Sequence, residues 1–192
     1  MHTCVFDTSM PCQPYDRAVA LLAASADSAF CAVRPPGHHA EYAQAMGFCF
    51  YNNVAVGVHE ALASGLERIA VVDFDVHHGN GTEDIVAGDE RILMCSFFQH
   101  PFYPYSGAEK PAPNMLNVPM PRGTGSEEFR QMVTELWLPR LRAFKPEMVL
   151  ISAGSDAHHE DDLGGMKLHE KDYTWMTEQL KQVAEETAKG RI

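Results

Sequence analysis

Short unbroken apolar runs recur along the chain, separated by stretches with helical character. Phe30-Cys31-Ala32-Val33 reads as a strand, ended by Pro35-Pro36-Gly37. Residues 52–66 read as a helix, with Gly65 near its end. Ile69-Ala70-Val71-Val72 is the signature of a buried strand and continues through Asp73-Phe74-Asp75. Residues 92–98 predict another strand. Six of the twelve prolines fall between 100 and 125, so that stretch reads as surface loop, with a short strand at 114–120 inside it. Thr124-Gly125-Ser126-Glu127 resembles a capping box with Glu127 at the third helical position. The helix that follows is expected to run to Phe144 with a kink at Pro139. Residues 148–152 form a third strong strand, and a last helix is predicted over 170–189, terminated by Gly190. Apolar strands alternating with helices predict an α/β fold: an open, mainly parallel sheet with helices on both faces. In such sheets the ligand site lies beyond the carboxyl ends of the strands. The residues to inspect therefore follow Val33, Val72 and Ile151.

A length of 192 residues predicts a single domain, 1–192. Fifteen basic against twenty-six acidic residues give a formal net charge of −11, which argues against direct contact with nucleic acid. The same charge suits a cationic partner. No run approaches the ~20 apolar residues of a membrane span, and Met1-His2-Thr3-Cys4 lacks the basic and apolar start of a secretion signal. Cys4, Cys12, Cys31, Cys49 and Cys95 are an odd, scattered set without a C-x-x-C pair, which predicts free thiols and a cytoplasmic location. Histidine is the unusual count. Of ten, six form the adjacent pairs His38-His39, His77-His78 and His158-His159.

The segments after the strands carry chemistry. If extended, Asp73, Asp75 and His77 point to one face. Two carboxylates and an imidazole at the mouth of a parallel sheet are costly to bury unpaired, and a divalent metal removes that cost. Gly79 and Gly81 let the chain turn sharply there. A lone aspartate would read as a helix cap at a solvated strand end; the cluster favours metal. Asp156, after the 148–152 strand, is a ligand candidate from a distant segment. Catalytic zinc commonly takes three protein ligands and keeps a position for water, and spacing alone leaves open which three of Asp73, Asp75, His77 and Asp156 bind. Residues 158–162 read as a solvated loop. Adjacent side chains rarely reach one ion, so His38 and His39 are better placed as two proton carriers beside a metal-bound water than as ligands, the alternative being a surface pair. Phe48 is a core residue or an aromatic wall. Phe102 and Tyr103, flanked by prolines, have more reason to line a groove than to fill a core.

Five segments together resemble the zinc-dependent histone deacetylase superfamily: RPPGHH at 34–39, GFCFYNN at 47–53, DFDVHHGNGT at 73–82, NVPMPRGTG at 117–125 and SAGSDAHHEDDLGG at 152–165. The HHGNGT and SAG-x-DAH forms are similar to its class II branch and to bacterial histone deacetylase-like amidohydrolases. The resemblance, carried by about residues 30–192, implies the arginase/deacetylase type of open sheet. It implies Asp75, His77 and Asp156 as ligands of Zn2+, with Fe2+ the alternative. It implies His39 as general base and acid, His38 as its electrostatic neighbour, and Asp73 as the carboxylate behind His38. Asn80 stands where some branches carry an acid behind the second histidine. Phe48 and Tyr103 match the aromatic pair of the acyl-lysine channel, with Gly47 and Gly164 beside it. Carbonyls of Asp73, Asp75 and His77, with Ser96 and Phe97, match a site for a monovalent cation such as K+.

The implied reaction is amide hydrolysis that deacylates acetyl-lysine in proteins or an N-acetylated polyamine, without a membrane or nucleic-acid partner and with a homo-oligomer as one arrangement. In the family a further strand leads to a glycine-rich turn with a tyrosine that polarises the scissile carbonyl, and residues 1–192 do not include it. The family's amino-terminal part is compressed, residues 10–26 reading as a shortened helix. The expectation is therefore an incomplete domain with an unpaired sheet edge beside the 148–152 strand, prone to pairing with another chain, and weakly active or inactive. A metal-binding remnant without catalysis is the alternative. A two-manganese ureohydrolase shares the fold but wants more Asp-x-His-x-Asp ligands.

Overall fold

The computed structural model describes residues 28–192 and the backbone of a strand over residues 3–6. The expected shortened helix at 10–26, with Cys12, lies outside the described residues, as does the side chain of Cys4.

The strand β1 (Thr3–Phe6) pairs in parallel with β2 (Ser28–Cys31). β2 ends two residues before the run that suggested it, and the approach to Pro35 is not strand. The helix α1 (Asn53–Ala63) follows. Its N-cap is Asn52, whose Oδ1 accepts from Ala55 N at 3.0 Å, the usual use of an asparagine at a helix start. Then come β3 (Ile69–Asp73), α2 (Asn80–Val86), β4 (Ile92–Gln99) and β5 (Met115–Met120).

The predicted helix to Phe144 forms in three parts. These are α3 (Ser126–Met132), a π-helical turn (Val133–Trp137) and α4 (Leu138–Phe144). Pro139 cannot donate to the ladder, and the preceding Leu138 N bonds Val133 O, one residue further back than an α-helix requires. The kink expected at Pro139 is thus taken up as a widened turn. The cap also differs by one residue from the sequence pattern. Gly125 is the N-cap and Glu128, not Glu127, reaches back to its N–H at 3.2 Å. Thr124 is not the cap because its hydroxyl donates to Pro121 O. The chain closes with β6 (Met148–Ser152) and α5 (Glu170–Thr187).

Four strands form a parallel sheet in the order β5-β4-β3-β6. Side chains alternate along β3, so Ile69 and Val71 join one cluster and Ala70 and Val72 the other. The first cluster includes Val54, Val58, Ala61 and Val86 from α1 and α2. The second includes Phe129, Trp137, Leu141, Met176 and Leu180 from α3, the π turn, α4 and α5. Both faces are covered, as the unbroken apolar strands required. Burying one Leu, Ile or Phe side chain contributes about 1.5–3 kcal/mol, so the two clusters fix the sheet, and with it the residues beyond its carboxyl ends.

The edge of β6 is not bare. Val149 N donates to Arg191 O and Ala29 N to Ile192 O, so the last two residues lie between β6 and β2. Beyond them a cavity of about 650 Å³ separates the strands, lined by Phe30, Val33, Leu150, Ile151 and Ile192 and reaching His38, Asp75 and Gly154.

Candidate metal centre

β3 ends at Asp73, and residues 74–79 turn across the carboxyl end of the sheet. Asp73 is fully buried. Its Oδ1 accepts from Asp75 N at 3.1 Å and its Oδ2 lies 3.0 Å from His38 Nδ1. Asp73 is therefore engaged with His38 and lies outside the group formed by Asp75, His77 and Asp156. Asp75, His77 and Asp156 each present one ligating atom, and the three lie within 4.8 Å of one another. His77 Nδ1 is 3.0 Å from Asp75 Oδ1 and 2.9 Å from Asp156 Oδ2.

Hydrogen bonds fix the arrangement from both segments. His77 N donates to Asp75 Oδ1 and Val76 N to Asp156 Oδ1. Burial alone would push the His77 imidazole down, but Asp156 and Asp75 outweigh it and raise its pKa to about 9. Burial opposes ionisation of Asp75 too, yet His77 and the charge of His38 hold its carboxyl below the usual range. Two carboxylates thus hold positive charge at the point where the three donors meet. One imidazole and two carboxylates are a donor set that zinc and iron both accept, so these residues fit a divalent metal.

His38 and His39 are nine-tenths or more buried, and their rings lie 4.0 Å apart. Their partners differ in kind. His38 faces a carboxylate. Burial pushes it down, but the charge and hydrogen bond of Asp73 outweigh that and raise its pKa to about 9. His39 Nδ1 lies 2.7 Å from Asn80 Oδ1, an acceptor-only atom, because Asn80 Nδ2 donates to Glu41 Oε1 at 2.8 Å. The His39 proton therefore sits on Nδ1, and Nε2 keeps a lone pair. Burial first, and the positive His38 second, lower its pKa to about 4. One histidine is held charged and its neighbour neutral, although the two are adjacent in sequence, because their partners differ. Glu41, which orients Asn80, carries no signal in a single sequence: it sits in a polar loop like any surface glutamate.

Aromatic rings close over the centre. Phe102 stacks on His77 with centroids 5.2 Å apart and planes at 22°. Tyr103 meets His39 edge-on at 5.2 Å. Phe48 stands apart, 88% exposed and at positive φ, on the rim and not in the core. Gly47 precedes it at φ +54, where a Cβ would lie 2.2 Å from the His39 ring. Gly154 is needed for the same reason, since a Cβ there would meet Asp75 Oδ2 at 2.1 Å. Gly164 packs on the backbone of Asp156. Ser96 pairs with Asp73 in the β3–β4 register, and its buried Oγ has no hydrogen-bond partner; an orphaned oxygen beside Asp73 fits a cation bound there. Phe97 is fully buried, in contact with Phe129 and Trp137. The His159 ring lies between those of His158 and His169, at 4.4 and 4.3 Å with tilted planes, beside the start of α5.

Residues 14–192 match the family model of the histone deacetylase domain. The chain is 41% identical to the histone deacetylase-like amidohydrolase of Pseudomonas aeruginosa, over 90% of this chain and 48% of that protein. It is 37% identical to a probable deacetylase of Archaeoglobus fulgidus, over 97% of this chain and 57% of that one. The crystal structure of the HDA15 HD domain superposes with a TM-score of 0.86 at 35% identity, covering 90% of this chain and 54% of that domain. The chain belongs to the histone deacetylase family. It spans about half the length of these relatives.

Proposed function

We propose that the centre is that of a zinc-dependent amidohydrolase that deacylates acetyl-lysine in proteins or an N-acetylated polyamine. The observation that carries this reading is the pairing of a convergent Asp75–His77–Asp156 trio with a neutral, oriented His39 beside it. Zinc held by the trio would supply polarisation of the amide carbonyl and lower the pKa of a water to about 7. The chain's own residues do the rest. His39 Nε2 takes a proton from the attacking water and hands it to the departing amine, so that amide and water become carboxylate and amine. His38, held positive by Asp73, lowers the affinity of His39 for a resting proton and stabilises negative charge as it develops on the substrate oxygen. Tyr103 walls one side of the approach, and Phe48 is positioned at its rim to meet the incoming chain. A monovalent cation at Ser96 and Asp73 would steady the turn that bears Asp75 and His77. Acidity favours a cationic substrate, and with the unpaired thiols of Cys49 and Cys95 it supports a cytoplasmic location.

The test is metal content together with hydrolysis of a fluorogenic acetyl-lysine substrate by the purified protein and by His39→Ala. The expected result is stoichiometric zinc in both and turnover reduced by ~10²–10⁴-fold in the variant. Loss of zinc from His39→Ala would make His39 a ligand and overturn the assignment. Zinc without turnover in the parent protein would leave metal binding as its activity.

A further inference from the structure

His78 follows the ligand His77 but turns away from the metal centre. It is 2% exposed, and both of its ring nitrogens are engaged. Nε2 lies 2.7 Å from Glu83 Oε2 on α2, and Nδ1 lies 2.9 Å from the hydroxyl of Ser106. Asn117 on β5 completes the group, donating through Nδ2 to Glu83 Oε2 at 2.7 Å and to Gly107 O at 3.2 Å. Gly107 has φ +86, and a Cβ there would lie 2.6 Å from the His78 ring, so the loop is seated directly on the imidazole. Glu83 is held below its usual pKa, first by the His78 hydrogen bond and against its burial; it is an anion shared by two donors.

The segment so anchored joins β4 to β5, and it carries Phe102 and Tyr103. Those rings contact His77 and His39. We propose that His78, Glu83 and Ser106 form a latch that positions this loop, so that the aromatic wall is set at a fixed distance from the metal ligand and the proton carrier. The three are positioning residues for whatever enters between Tyr103 and the trio; the inference rests on the hydrolase reading only for what that substrate is. The adjacent pair His77-His78 divides its labour: one imidazole faces the metal centre and the next fixes the loop that covers it.

The latch is tested with Ser106→Ala and Glu83→Gln, with Ser106→Thr restoring the hydroxyl. Ser106 is half-buried on the loop and belongs to neither apolar cluster, so its truncation leaves the core intact. With an acetyl-lysine substrate, Ser106→Ala and Glu83→Gln are expected to raise KM by ~10-fold, the order of one buried hydrogen bond, with kcat within ~2-fold. Ser106→Thr should return KM to the parent value. Independently of turnover, the His77 ring protons are shifted by the ring current of Phe102. The two latch-breaking variants should move those resonances toward the values of Phe102→Leu, and amide exchange over 100–110 should quicken, while zinc affinity stays within ~2-fold. Unchanged His77 resonances and loop exchange in both variants would overturn the latch, as would loss of zinc affinity with KM unchanged. A parent protein without turnover would count against the hydrolase reading alone, and the resonances and exchange would still decide the latch.

Discussion

The sheet is built differently on the two sides of β3. Toward β4 and β5 every position of β3 and β4 is buried, and the register runs without a break from Ile69↔Ile92 to Gln99↔Met120. Toward β6 the pairing also holds, from Ile69↔Met148 to Asp73↔Ser152, but the last two residues of β6 are only half-buried. Beyond β6 lies the cavity of about 650 Å³ that separates it from β2. The site draws on both sides. Asp75 and His77 follow β3, with Asp75 itself reaching the cavity, whereas Asp156 and the His38-His39 pair come from segments on the cavity side. The cavity-side groups are held to the closed side by individual hydrogen bonds. These are Val76 N to Asp156 Oδ1, His38 Nδ1 to Asp73 Oδ2, His39 Nδ1 to Asn80 Oδ1 and Thr82 N to His38 O. A half-walled sheet can thus carry a formed site when the polar cross-links, and not strand pairing, place the second half of it.

The largest effect that would break this comparison is on metal binding. Removing a group that merely orients a ligand typically costs 10–100-fold in affinity, so His77→Ala and Asp156→Ala should each weaken zinc by more than ~100-fold in a chelator competition. Equal losses would show that the cavity-side ligand is as firmly placed as the closed-side one. A loss for Asp156→Ala far smaller than that for His77→Ala would show that Asp156 does not reach the ion.

Next is the core of the closed side. Leu93 on β4 is 1% exposed and packs in the cluster with Phe129 and Trp137. Leu93→Ala should cost about 2–5 kcal/mol, the range for buried leucine truncations, read as a lower urea midpoint at unchanged slope. A cost under ~1 kcal/mol would mean that the closed side relaxes as readily as the open one.

The cross-links also predict a pH response of the zinc-free protein. His38 is raised from 6.5 to about 9, so its contribution is complete below pH 6.5 and lost as pH rises toward 9. His77 acts with the same sign, being raised to about 9. His39 is lowered to about 4, so its contribution is present above pH 6.5 and lost as pH falls toward 4. The melting temperature should therefore peak near pH 6.5. The His38 share of the alkaline fall is on the order of 3 kcal/mol, at 1.36 kcal/mol per pKa unit. Asp73→Asn should remove most of that share, shrink the acid limb because His39 loses its positive neighbour, and leave the His77 share in place. An unchanged alkaline slope in Asp73→Asn would show that the pair does not couple in solution.

What was legible in the sequence follows the same division. The buried strands at 69–73, 92–99 and 148–152 announce themselves because strands covered on both faces admit only apolar residues. Residue type and strand end narrowed the metal candidates to four, the resemblance singled out Asp75, His77 and Asp156, and the structure brings those three together with Asp73 bound to His38 instead. β2 was displaced by two residues because a half-buried margin relaxes the apolar pattern, and Ala32 and Val33 face the cavity and not a strand partner. The cap at Gly125 was hidden for another reason. Ser, Thr and Asp advertise an N-cap by their side chains, whereas a glycine cap is visible only through the glutamate three residues on. Residue type left Phe48 open between core and aromatic wall; its left-handed backbone beside Gly47 leaves it exposed and excludes the core. The His78–Glu83–Ser106 group was unreadable because its members are spread over α2, a proline-rich loop and a turn, with no spacing rule joining them.

The smallest expected effect sharpens the comparison from the open side. Phe30 lies on β2, lines the cavity and is 58% exposed. An aromatic that loses little surface to its neighbours contributes little, so Phe30→Ala should stay within ~0.5 kcal/mol of the parent in a urea titration, the usual range for surface substitutions. That stands against the several-fold larger cost expected at Leu93, although phenylalanine is the larger side chain. The contrast is therefore one of packing and not of residue size. A cost of ~3 kcal/mol or more at Phe30, the range for buried phenylalanine truncations, would mean that the space between β2 and β6 is filled in solution. Apolar surface on this wall would then be covered as fully as that on β4, and the two sides of the sheet would be alike.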